Sequence, residues 1–284
     1  MDLHENTSES PDAVVLESIY VNLIRPRVEE MLLEVIKLYG TVAGARNSTR
    51  ALGYFLTRGY FSWRSLNILC DWAAVPGNQW RFVAHDSVGI LRCLMDGHVQ
   101  AAYLFHDPNE REVRAKLYLE FEHVERFDQA NAVIGRDNQV SRWIADSPMR
   151  PEGEKRIIAE FDRVKVNYPR RVRNAGKLTK PIKVRDKWYE GTLRELARVI
   201  GWEDEYIIYV KRFNGSIHAG PWAIQCGPPM TPSQHCLLAA TLVGRLSGFM
   251  VENERMCVSA AVRESIDHLA KADPIGKLNA TPPP

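Results

Sequence analysis

Apolar residues recur at steps of three and four through nearly the whole chain, and no stretch sustains the alternation of a half-buried strand. Val28, Met31, Leu32, Val35 and Ile36 set the pattern in a first helix that Gly40 can stop. The spacing predicts further helices over 50–74, closed by Pro76-Gly77, and over 79–105. Asp107-Pro108-Asn109-Glu110 reads as an N-cap, a proline at the first helical position and a Glu three residues on, opening a helix to about 133. Shorter helices are expected over 139–145 and 152–166. Thr192-Leu193-Arg194-Glu195 is a second capping box, with Gly201 ending its helix. Helices over 203–217, 232–251 and 253–272 complete the series, the last two apolar on more than one face, as central helices are. Tyr206 to Val210 is the best strand candidate, and no repeat of fixed period occurs. The pattern predicts an all-α fold: one helical bundle with peripheral helices over 13–272, between disordered segments at 1–12 and at the proline-ended 273–284.

Composition agrees with a globular chain. The 284 residues are 45% hydrophobic and 25% charged, which excludes disordered, collagenous and disulfide-scaffold classes. No uncharged stretch reads as a membrane span, and no apolar run follows a basic start, so a soluble cytoplasmic protein is expected. Five cysteines without short repeated spacing suit buried free thiols. Cys226, His235 and Cys236 lack zinc spacing, and no dinucleotide, phosphate-loop or metalloprotease motif is present, so neither metal nor cofactor is expected. His85-Asp86 and His106-Asp107 are similar to the His-Asp pair of metal-dependent helical phosphohydrolases, but further ligands have no clear place.

Charge is uneven. Lys and Arg number 37 against 35 Asp and Glu, yet residues 163–187 hold ten cations and one acid, leaving 27 against 34 elsewhere. This segment is either a basic arm for RNA or phosphates, or a solvated connector within the single domain.

Two regions offer chemistry. At about 100° per residue, Arg92, Asp96, His85 and Tyr103 fall within roughly 40° of one another, beside Val88, Met95 and Val99. A charged pair against apolar surface is a desolvated ion pair or a wall of a polar pocket. The second region, 211–220, carries Lys211, Arg212, Asn214, Ser216 and His218, with His218 either capping a helix end or lining a site. The expected site joins Arg92, Asp96, Asn214 and His218, with Ser216 and His85 near, around a small anionic or nucleotide-like ligand.

The stretch 81–112, with Arg-Cys-Leu-Met-Asp at 92–96, then 187–195, the helix of Tyr206 and Tyr209, and Ser-Ile-His-Ala-Gly at 216–220 resemble, in order and spacing, the bacterial domain of unknown function 5677 family. The resemblance covers roughly 50–250 and implies an all-helical fold with a shared polar site, and no reaction. Asp96 stands where the resemblance leads one to expect Glu, and Asn214 where it leads one to expect Ser. More distantly, Arg212 and His218, with five residues between them, are similar to the Arg-x(4–6)-His signature of the helical HEPN ribonucleases. That likeness implies metal-independent RNA cleavage, with His218 as general acid/base, Arg212 on the phosphorane and the basic arm holding RNA. Phe213 departs from the signature, and the two side chains diverge unless Gly215 breaks the helix. A structural interaction module is the third reading. Two-fold assembly is a reasonable expectation, though no pattern names the interface.

Overall fold

The computed structural model describes residues 17–42, 46–75, 80–133, 150–169, 184–217 and 230–271. Their secondary structure is helical without a strand, and an isolated bridge pairs Pro169 with Val184. Chain contacts gather into two compact units, one of residues 1–108 with 192–284 and the other of 109–191. The expected helix over 139–145 and the terminal segments 1–12 and 273–284 lie outside the described residues.

The larger unit begins with a π-helical turn, Tyr20–Ile24, that runs into α1, Arg25–Val42. The Arg25 amide donates five residues back to the Tyr20 carbonyl. Pro26 has no amide hydrogen to donate one turn back, and the wider turn ahead of it accommodates the missing bond. Gly40 lies inside α1 rather than ending it. Helix α2 spans Asn47–Ala73 and α3 spans Trp80–His106, within a residue or three of the expected limits. After the smaller unit come α6, Leu193–Val199, and α7, Glu203–Ile217. The residues of the strand candidate are helical because Tyr206, Tyr209 and Phe213, three and four apart, bury one helix face. Two further helices close the unit: α8, Pro232–Glu254, and α9, Ala260–Lys271.

Helix α8 is the hub, packing on α1, α2, α3 and α9. Its buried residues run round its circumference, as its sequence predicts. Gly244 permits the close approach of α9: a Cβ there would sit 2.5 Å from the Leu269 Cβ.

Polar groups thread this core. The Trp63 indole donates to the Tyr20 hydroxyl (3.1 Å), which donates to Asn67 Oδ1 (2.9 Å), while Asn67 Nδ2 donates to the Trp63 carbonyl (2.8 Å). Ser87 Oγ lies 2.6 Å from His235 Nδ1, both buried. Cys70 and Cys236 are buried free thiols, as expected, but Cys93 and Cys257 are exposed. The Cys70–Cys236 hydrogen bond pushes the Cys236 thiol up and holds that of Cys70 down. His98 is fully buried, edge-on to Trp202 and stacked on Phe249, with no hydrogen bond to either ring nitrogen among the described residues.

The smaller unit holds α4, Arg111–Val133, and α5, Arg150–Val164, continued by a 3-10 turn, Lys165–Asn167. The start of α4 corrects the expected cap: Asp107 precedes a turn over 108–110, and the first helical bond runs from the Arg114 amide to the Glu110 carbonyl. Pro-Asn serves a tight turn as readily as a helix start, and here it makes the turn. Phe127 stacks on Phe161 at 3.9 Å, and the Tyr168 hydroxyl donates to the Leu117 carbonyl (2.6 Å). No helix among the described residues is long and apolar enough to cross a membrane.

Candidate functional site

Arg92 stands near the middle of α3, where α7 packs on it. Its Nε donates to Asp96 Oδ2 at 3.0 Å, with Oδ1 at 2.9 Å, one helical turn on. Nη2 donates to the Tyr206 hydroxyl at 3.0 Å, and the guanidinium carbon lies 5.4 Å from the centre of that ring. Nη1 donates, at a long 3.4 Å, to Asn214 Oδ1. Three acceptors from two helices distant in sequence therefore hold one planar cation.

The surroundings are half-dry: the side chains of Arg92 and Asp96 keep 17% and 26% of their surface exposed. Burial raises the Asp96 carboxyl above its ordinary range and outweighs the opposing pull of Arg92, Tyr206 and Arg58. Tyr206 is pushed up to about 12, by burial first and the Asp96 charge second. Asp96 Oδ1 is shut from solvent without a hydrogen-bond donor in good geometry among the described residues. A guanidinium has five N–H groups, and these contacts use three, so two have no acceptor among the described residues.

Arg92, Asp96 and Asn214 thus come together. His85 lies two turns earlier on α3 and Ser216 near the end of α7, but their side chains are outside the described residues, as is that of Arg212. His218 lies outside them altogether. Helix α7 keeps its course through Gly215 to Ile217, so the bend that would bring positions 212 and 218 together is not at that glycine. Tyr206 is the site residue the spacing analysis missed. The helix expected over 203–217 already puts it about two turns before Asn214, which was the available signal.

The ends of the basic segment are engaged within the smaller unit. Arg163 bridges Glu120 (3.2 Å), Lys165 bridges Asp162 (2.5 Å), Arg185 lies 3.6 Å from Glu190, and Lys187 stands over the Tyr189 ring. The cations between 170 and 183 lie outside the described residues. Among the described residues no three His, Cys, Asp or Glu side chains converge as metal ligands would.

A comparison with protein-family models matches residues 49–226, well over half of the chain, to a model described as a family of unknown function (DUF5677). No curated protein and no solved structure matches the chain.

Proposed function

From the premise that this chain belongs to the DUF5677 family, whose function is unknown, we propose that it binds a small anionic, nucleotide-like ligand at Arg92. The observation that carries the reading is the guanidinium held by Asp96, Tyr206 and Asn214 with two N–H groups to offer. A surface arginine is disordered and hydrated, and ordering it on a ligand costs side-chain entropy. Arg92 is already ordered and partly dry, so an oxyanion meets a preset, planar donor pair. Asp96 orients the cation and keeps the pocket close to neutral before the ligand arrives. Tyr206 adds an aromatic face and Asn214 an amide at the rim.

The test is calorimetric titration with inorganic phosphate and with adenosine monophosphate. Both bind the wild type, the nucleotide more tightly, and binding is lost in Arg92→Met but only weakened in Arg92→Lys, which keeps charge without the fork. Equal affinity in wild type and Arg92→Met would sink the proposal. The ribonuclease reading rests on Arg212 and His218, and incubating the same samples with RNA tests it: cleavage that disappears in His218→Ala would favour it.

A further inference from the structure

Five side chains on α2 lie along one line facing outward: Arg50, Tyr54, Phe61, Ile68 and Trp72. On an ideal helix they fall within an arc of about 40° and run about 33 Å along the axis. The four apolar ones are 54%, 63%, 62% and 49% exposed, and Arg50 is exposed. The opposite face of the same helix is core, with Leu52, Leu56, Trp63 and Leu66 buried. Tyr54, Phe61 and Ile68 repeat at seven residues, the period that lets two helices stay in contact along their length.

We propose that this chain forms a two-fold dimer in which α2 pairs antiparallel with α2 of a second copy, with Phe61 on the axis. The proposal is independent of the Arg92 site. An isologous contact requires a surface that is its own complement, in which i meets j and j meets i. The line satisfies this about position 61. Phe61 meets its own counterpart, Tyr54 meets Ile68, and Arg50 meets Trp72, a cation against an aromatic face. The like charges this register opposes, Arg58 and Arg64, are partly offset within each copy, Arg58 only by an Asp96 carboxylate that Arg92 already holds. Arg64 bridges Glu29 (3.3 Å), and Arg58 acts on the Asp96 carboxylate across α2 and α3. Beside the line lies an open groove of about 520 Å³, walled by Thr57, Arg58, Ser62 and Ser65 of α2 and by Ile90 and Cys93 of α3. The partner's ridge of aromatic side chains can seat there.

The areas agree with a dimer. The four apolar side chains expose roughly half of some 200–250 Å² each, so two copies bury on the order of 1,000 Å² before flanking residues are added. That reaches the threshold of about 1,000 Å² for a specific interface. At roughly 400–500 Å² per copy the line equals the largest apolar patch of a typical monomer, roughly 300–600 Å², which is often functional.

Sedimentation equilibrium of the full chain reports a dimer at tens of micromolar. Phe61→Asp raises its dissociation constant at least roughly a hundredfold, as loss of a central aromatic anchor does. Phe61 is exposed, so the variant keeps its helical circular dichroism; Ile68→Lys serves as a second substitution should it not. Register is tested in a Cys93→Ser, Cys226→Ser, Cys257→Ser background. Phe61→Cys crosslinks to itself under mild oxidation. Tyr54→Cys crosslinks only when mixed with Ile68→Cys. A monomer at those concentrations, a dimer indifferent to both Phe61→Asp and Ile68→Lys, or crosslinking without this register overturns the proposal.

Discussion

His98 carries the clearest consequence of a single side chain. Burial, with Arg245 adding to it, holds its imidazole down to about 3, against an ordinary value of 6.5. The folded state therefore keeps it neutral where the unfolded chain takes up a proton. Stability is unaffected above about pH 6.5. It falls as pH drops from there toward 3, by about 1.4 kcal/mol per pH unit from this residue alone. In His98→Phe, the difference between urea midpoints at pH 7 and pH 4.5 shrinks; an unchanged difference would remove His98 as the cause. None of this was legible in the sequence, where His98 is one more residue in an apolar-rich helix and its aromatic neighbours Trp202 and Phe249 are remote. Arg92 and Asp96 were legible because their pairing is local, four residues along one helix. Asn214 was named from the second region; Tyr206 lay on the expected helix over 203–217, but nothing local marks which of its tyrosines meets Arg92, 114 residues earlier.

Among the elements, those whose ends rest on local chemistry were readable. Thr192 accepts from the Glu195 amide, and the Glu195 side chain accepts in return from the Thr192 amide, as the four-residue motif predicts. The course of α7 and the burial of α8 on all sides were also present in the apolar spacing. What spacing does not reveal is how closely two helices approach. Gly244 reads as a weak point within α8, whereas it is the place where Leu269 of α9 comes against the backbone. The colliding atom is a Cβ, which no rotamer change can move. Gly244→Ala accordingly forces the two helices apart at a cost of about 1–3 kcal/mol, despite the better helix propensity of alanine. Thermal unfolding checks the sign, and a gain in stability would mean that α9 shifts freely. The outward line on α2 was equally visible as spacing, but spacing does not say which apolar face of a helix the rest of the chain covers.

At the scale of the molecule, the charge gradient along the chain corresponds to its division into units. Residues 163–187, with ten of the 37 cations, lie within the unit of 109–191, and the family match of 49–226 spans the whole of that unit. The core of the larger unit is built without it, from α1, α2, α3, α8 and α9. A chain in which 109–191 is replaced by a short glycine-serine linker is predicted to keep a cooperative, helical unfolding transition by circular dichroism. Loss of cooperativity would show that the larger unit depends on the smaller.

The three hydrogen bonds among Tyr20, Trp63 and Asn67 have a further meaning for this bundle. Helices lined with Leu, Val and Ala can slide by one turn and still bury about the same area, so oil-like contact alone leaves several nearly equal alignments. A buried hydroxyl tolerates no such slide, because one turn away it meets only carbon. Tyr20 therefore acts as an index mark, setting the leading segment of the chain against α2 at one position out of many. Replacing all three by well-shaped apolar residues is the change that would leave the bundle as stable and less certain of its own alignment.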